Sequence, residues 1–289
     1  MSEATRTLLI LIGINVLLAW GAYLVLKTGQ LSLGQAGFMA IGGYGAGLLM
    51  AERGLALIPA MLVAGAIAAA AGALLGLPAL RLRGLYLALL TIGFGELVVV
   101  GLANWEHVGG VAGYPVAGGT SLGLVWGTVA VVLVFLVVLS RSRLGWAMDA
   151  VREDEVAAAS LGVNVTYVKV LAFALGGFVT AVGGALFANY QLFIQPGNFD
   201  FFQSVLIVLY VVLGGLETLV GAAAGAIVLT WLPELIRGLE EWRFFVYGAL
   251  LVGVMAVRPQ GLISRETLRA AAALLRSVAR GRGRAGGVA

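Results

Sequence analysis

Cysteine is absent from this 289-residue chain, which excludes disulfides, thiolate metal sites and cysteine nucleophiles. Histidine occurs once, at His107, so His-Glu-x-x-His zinc sites and histidine clusters are absent as well. Lysine occurs only at Lys27 and Lys169, and neither follows a Gly-x-x-x-x-Gly run, so there is no P-loop. No Gly-x-Ser-x-Gly elbow supports a serine hydrolase. Charge is scarce: 11% of residues carry one, against roughly 25% in a soluble domain. Nothing here supplies an enzyme's usual chemistry, and the chain cannot itself be an ATPase of the P-loop kind. Energy for any active transport must come from a partner or an ion gradient.

What is present is hydrocarbon. The chain is 61% hydrophobic, the composition of a polytopic membrane protein. Its 43 glycines are about twice the usual share of roughly 7%, as expected where membrane helices pack closely or are interrupted. About nine apolar segments of spanning or near-spanning length lie near residues 8–26, 31–50, 55–79, 84–103, 121–140, 168–190, 203–215, 216–236 and 243–257. The first has only Arg6 before it and no Ala-x-Ala site behind it, so it reads as a span rather than a signal peptide. The segment at 31–50 carries six glycines with Ser32 and Gln35, and 203–237 must cross twice with short helices or once with a broken one. The expected class is therefore an all-α polytopic membrane protein with some discontinuous helices.

The stretch from Arg141 to Lys169 is a polar island holding four charges of each sign. At a helix centre in lipid a single Asp or Arg costs roughly 2.5–3.5 kcal/mol, so the island must lie outside the bilayer. If it is cytoplasmic, 14 of the 18 Lys and Arg residues are inside and only Arg6, Arg53, Arg237 and Arg243 are outside. That asymmetry predicts an external N-terminus and a cytoplasmic C-terminus. Residues 1–263 then form the membrane domain, with a cytoplasmic loop at 141–168, and 264–289 form a basic tail. The tail suits anionic lipid headgroups, and nucleic acid is not an expected partner. Within the island, Arg152 to Gly162 places acids first, alanines next and a glycine last, predicting one short capped helix. Such a helix is a docking surface.

Glu96 lies about 18 Å into the span opening at Gly84, near mid-bilayer. An ionisable group at that depth faces a cavity, a water-filled path or a partner. It competes with a purely structural reading, a carboxylate holding a broken helix. Glu217 is expected to cap a helix N-terminus. The spacings Gly43-x-x-x-Gly47, Gly72-x-x-x-Gly76 and Gly221-x-x-x-Gly225 are helix-packing patterns. The segments 104–120 and 191–202 would form an outer mouth where a partner could dock. Leu33, Gly34, Gly42 and Ala46 align with Leu175, Gly176, Gly184 and Ala188 at constant offset, a trace of two related halves or a coincidence of composition.

Five motifs in order carry a resemblance. They are Leu31-Ser-Leu-Gly-Gln-Ala-Gly-Phe, Arg81-Leu-Arg-Gly-Leu-Tyr-Leu-Ala, the run Arg152-Glu-Asp-Glu-Val-Ala-Ala-Ala-Ser-Leu-Gly-Val-Asn, Val211-Val-Leu-Gly-Gly-Leu and Arg258-Pro-Gln-Gly-Leu. Together they make the chain resemble the Liv-type permease subunits of bacterial ABC importers for branched-chain amino acids, the M-like subunit in particular. The resemblance implies an inner-membrane translocation subunit that pairs with a second permease, two cytoplasmic ATPases that bind the ATP and magnesium, and a periplasmic or extracellular binding protein. No cofactor would reside in this chain. Arg152, Glu153, Asp154, Glu155, Ala158 and Gly162 would form the coupling helix seated on an ATPase. Gln35, Glu96 and Asn104 are the expected polar groups of the pathway. Val108-Gly-Gly-Val-Ala-Gly-Tyr-Pro and Glu217 depart from the family pattern, leaving urea, short amides and other small solutes as alternative cargo. An ATP-independent secondary transporter would need more ion-coupling residues in its spans than this chain offers.

Overall fold

The helix over Val165–Gln191 organises the molecule because small residues let three neighbours approach it closely. In the computed structural model, residues 3–79, 82, 84–235, 248, 252–253 and 261–263 are described. Among them run α1 (Glu3–Leu26), α2 (Gln35–Arg53), α3 (Leu57–Ala79), α4 (Leu85–Ala103), α5 (Leu122–Arg141), α6 (Arg143–Glu153), α7 (Glu155–Ser160), α8 (Val165–Gln191), α9 (Phe201–Gly214) and α10 (Leu219–Leu235). Six apolar stretches among the described residues are long enough to cross a membrane: α1, α3, α4, α5, α8, and a 3-10 turn with α9 over Pro196–Gly214. α10 is a shorter apolar helix. The chain is thus an all-α, multi-pass membrane protein. Of the nine expected segments, the last falls outside the described residues apart from Gly248, Val252 and Gly253. The tail from 264 lies outside them entirely.

Lipid tails are as apolar as leucine, so helix association in a membrane rests on close packing rather than on the hydrophobic effect. Gly72 and Gly76 of α3 bring their backbone onto Phe173 and Val170 of α8, running antiparallel. Gly21 of α1 meets Gly176 and Thr180 in the same sense. α2 lies parallel to α8 with reciprocal contacts: Gly42 abuts the Ala181 carbonyl and Gly184 abuts the Met39 carbonyl. The two segments aligned in the sequence are therefore partners across one seam. By contrast, only 28% of the most apolar part of α4 and 22% of that of α5 are buried. Those faces await lipid or another chain.

Two interruptions shape the interior. After α1 the chain turns and runs through residues 27–34 without helix, with Lys27, Thr28, Gln30 and Ser32 all buried. Backbone off the helix inside a membrane bundle needs partners from protein, and distant hydroxyls supply two of them here. The Leu33 N–H donates to Thr91 Oγ1 at 2.9 Å, and the Ala36 N–H donates to Ser204 Oγ at 2.9 Å. α2 consequently begins inside the protein rather than at its edge.

The second interruption separates α9 from α10, which form an antiparallel pair in which Gly214 faces Gly221 and Gly225 faces the Tyr210 carbonyl. Over residues 203–235 the chain takes the two-short-helices route. Thr218, not Glu217, caps α10, because a hydroxyl one residue before the helix reaches the Gly221 N–H at 3.0 Å. Residues 261–263 close over this break. Leu262 and Ile263 N–H donate to the carbonyls of Leu213 and Gly214, and the Thr218 hydroxyl donates to Ile263 O. Gly261 has φ +85°, and a Cβ there would stand 2.6 Å from Gly215 Cα, so glycine is required. On the opposite side, β1 (Tyr114–Pro115) pairs antiparallel with β2 (Phe193–Ile194), tying the two mouth segments together.

Candidate functional site

The polar island folds as an elbow of two helices. α6 starts at Ser142, whose hydroxyl accepts the Gly145 N–H, and stops at Glu153. Asp154 then takes extended backbone, and its carboxylate accepts from Val156 and Ala157 N–H at 2.8 and 3.0 Å, opening α7. The short capped helix expected over Arg152 to Gly162 is present but starts later, at Glu155, because Arg152 and Glu153 belong to α6. Asp is a strong N-cap, and its side chain turns the chain where an alanine-rich reading would run through. Gly162, with φ +85°, ends the turn after α7.

These N–H bonds, Ala157 foremost and then Val156, hold the Asp154 carboxyl below its ordinary value of 3.8. A depressed folded pKa means that the stabilisation is present above the ordinary value and is lost as pH falls through the folded one. At neutral pH it is complete. Asp154→Ala is expected to speed amide exchange at Val156 and Ala157 several-fold at neutral pH, whereas Asp154→Asn should retain most of the protection. Unchanged exchange in the alanine variant would show that α7 does not depend on its cap.

The elbow is bonded to the membrane helices at three points. Ala158 is buried among Met148, Val151, Val168 and Ala172. Glu155 accepts from Lys169 Nζ on α8 at 2.5 Å, with the Lys169 side chain 5% exposed and Glu155 33%. Arg152 Nη1 donates to the Leu216 carbonyl in the α9–α10 break at 3.0 Å. Outward, α7 presents Val156 at 71% exposure and Leu161 at 85%, beside exposed Glu153. A rigid, capped elbow with an apolar tip, tied to both α8 and the break, can pass a push from outside into the bundle.

The expected pathway residues are not gathered at one point. Gln35 opens α2 wholly buried, its Oε1 accepting from Thr180 Oγ1 at 2.9 Å, while its Nε2 has no hydrogen-bond partner among the described residues. Glu96 lies about 16 Å along α4 from Leu85 and is exposed. It borders a cleft lined by Leu33, Ile92, Phe199, Asp200, Phe201 and Ser204. Here the starts of α2 and α9 meet α4, so Gln35 and Glu96 sit on adjoining elements but face different ways. Asn104 is at the end of α4, where its Nδ2 donates to Val100 O at 2.8 Å, a local helix-ending bond. The sequence missed Ser204 and Thr91, the hydroxyls that hold the interrupted backbone. Their signal was a lone hydroxyl in an apolar run, too common to single out.

Farther along, the rim is ordered by Asn189. It is buried, accepts from the Thr120 hydroxyl at 2.7 Å, and donates to Ala117 O at 2.9 Å. His107 pairs with Glu52 across the same rim. Burial raises the Tyr114 phenol pKa, and the Glu52 carboxylate adds to the rise.

A multi-pass helical bundle with interrupted helices, a carboxylate within a membrane-length apolar helix and a structured, charged elbow fits the build of a membrane permease subunit. Residues 4–255 match the family described as the permease component of branched-chain amino acid transport systems. The high-affinity branched-chain amino acid transport permease LivM of Salmonella typhimurium is 36% identical, over 90% of this chain and 69% of that protein. LivM of Escherichia coli K12 is 37% identical, over 91% of this chain and 71% of its own. The autoinducer 2 import permease LsrC of Enterobacter sp. 638 is 31% identical, over 84% and 75%. No solved structure matches. The chain belongs to the family of branched-chain amino acid transport permease components.

Proposed function

We propose that this chain is one of the two permease subunits of an ATP-binding-cassette importer that carries branched-chain or related aliphatic amino acids across the inner membrane of a bacterium. The observation that carries the reading is the α6–α7 elbow within a chain of this family: a docking tip bonded to α8 and to the α9–α10 break. Two separate ATPases, which bind the ATP and magnesium, power the complex, and one of them seats on the exposed tip of α7. This chain performs no catalysis and holds no cofactor. The second permease covers the α4 side, and a binding protein delivers cargo to the rim built on β1 and β2.

The charge asymmetry supports a cytoplasmic island and C-terminus, with the tail from 264 resting on anionic headgroups. Arg152, Glu153, Asp154, Glu155, Ala158 and Gly162 build the coupling element. Glu96 lines the pathway: a carboxylate exposed on α4 at this depth cannot face lipid without a cost of about 3 kcal/mol. Gln35 supports the interior from behind, and Asn104 finishes α4. Motion of the elbow on ATPase closure rocks the bundle and opens the path inward.

Reconstitution of the complex in proteoliposomes tests this, with uptake of labelled leucine measured with and without ATP. ATP-dependent uptake that unlabelled isoleucine suppresses and urea or short amides do not is the expected result. Suppression by the neutral solutes alone would move the cargo to that class, and uptake without ATP would overturn the importer reading. In the same assay Glu96→Gln should lower uptake about tenfold, equivalent to about 1.4 kcal/mol in the barrier, with the complex still assembled. Undiminished uptake would remove Glu96 from the pathway.

A further inference from the structure

A cleft of about 340 Å³ opens at the cytoplasmic end of the bundle, between the end of α1, the α6 arm of the elbow and the α9–α10 break. Tyr23, Lys27, Trp146, Asp149, Glu217 and Leu219 line it. A hollow of about 200 Å³, bordered by Arg152 and Glu153, shares Asp149 and Glu217 with it. The lining is chemically mixed in a particular way. Two cations and three carboxylates stand among an indole, a phenol and a leucine. Lys27 and Asp149 form an ion pair at 3.6 Å. Trp146 is 68% exposed, so most of its aromatic surface is uncovered by the described residues.

The sign pattern selects the ligand. A polyphosphate or anionic headgroup meets three carboxylates. A bare metal ion meets Lys27 and Arg152. A small zwitterion carries both signs, as the lining does, and its apolar side chain suits Trp146, Tyr23 and Leu219. The volume is at the lower end of the range for small-molecule pockets and holds one amino acid.

We propose that this cleft is a second amino-acid site, filled from the cytoplasm by a zwitterion with an apolar side chain, and that its occupation slows the transport cycle. The cycle it acts on is the ATPase-driven one proposed above. An occupant touches α1, α6 and the break together, so it binds one arrangement of the elbow against the bundle better than another. Differential affinity of that kind shifts the population towards the preferred arrangement. Product accumulating inside would then restrain its own import.

ATP hydrolysis by the assembled importer, without binding protein and in phosphatidylcholine nanodiscs, tests the site as leucine is titrated. Hydrolysis should be at least halved at about 10 mM leucine, the millimolar affinity of an open polar pocket. 4-Methylpentanoate lacks the ammonium and isopentylamine lacks the carboxylate, and neither should inhibit. Glu217→Gln and Trp146→Ala should each abolish inhibition while basal hydrolysis persists. Three results would overturn the proposal: wild-type hydrolysis indifferent to leucine, equal inhibition in both variants, or equal inhibition by either half-molecule. Inhibition by added phosphatidylethanolamine in place of leucine would overturn assignment to a free amino acid. ATP-driven leucine uptake by the same preparation, with binding protein added, is scored separately. Uptake without inhibition refutes the cleft alone, and absence of uptake refutes the importer reading.

Discussion

Replacing Gly42 or Gly184 with leucine is expected to remove the folded protein from the membrane. Each glycine lies against a backbone carbonyl of the other helix, Ala181 O and Met39 O, and a Cβ would stand 2.0 Å from the first and 2.1 Å from the second, far closer than van der Waals contact. Backbone cannot step aside as a flexible side chain can. The helices must separate along a seam that also places Gln35 against Thr180. Overpacking of this kind costs about 1–3 kcal/mol even where side chains can shift, and more where they cannot. Against a typical stability of about 5–15 kcal/mol the loss is large. Yield of monodisperse protein after detergent extraction is the measurement. Gly127→Ala is the control, since nothing lies within 4 Å of a Cβ there, and it should be tolerated. Equal yields from all three variants would mean that the α2–α8 seam is looser than described.

Severing Glu155 from Lys169 should uncouple the importer without unfolding it. Lys169 is nearly buried at the start of α8, and its ammonium meets the first residue of α7. Removing one partner of a fully buried pair costs about 3–5 kcal/mol. Glu155 is one-third exposed, so water relieves part of that, and about 1–2 kcal/mol is the fitting scale. That is too little to unfold the bundle and enough to free α7 from α8. Glu155→Ala should therefore cut ATP-driven uptake about tenfold or more, with normal membrane insertion. Exchanging the charges, Glu155→Lys with Lys169→Glu, should recover part of it. Failure of the exchange with full activity in the single variant would show that the contact plays no part in transmission.

The class of the protein was plain in its residues, because composition and apolar run length fix a polytopic helical fold with little help from tertiary detail. The packing glycines were legible too: Gly72 and Gly76 meet α8, and Gly221 and Gly225 meet α9, as their spacing implies. Other features depended on distant partners. That α2 begins at Gln35 inside the protein follows from Thr91 and Ser204, hydroxyls far away in sequence. The split at Asp154 was legible as an N-cap, but the acidic run around it also reads as the first turn of a longer helix. Likewise Thr218 outcompeted Glu217 for the α10 cap by position and reach. The exposure of Glu96 could not be read from α4 at all, since an apolar helix shows its lipid or partner face only once its neighbours are placed.

The absence of native cysteine makes one measurement direct. A lone cysteine at Leu161, the most exposed apolar residue of the elbow, can be tested for cross-linking in native membranes with a short reagent carrying a maleimide for this thiol and an amine-reactive ester for a partner's lysines. The account predicts a covalent adduct with an ATPase subunit, and none from a cysteine at Val131 on the exposed face of α5. Free labelling of Leu161→Cys in the active complex, with no ATPase adduct, would contradict the claim that separate ATPases drive this chain through its elbow.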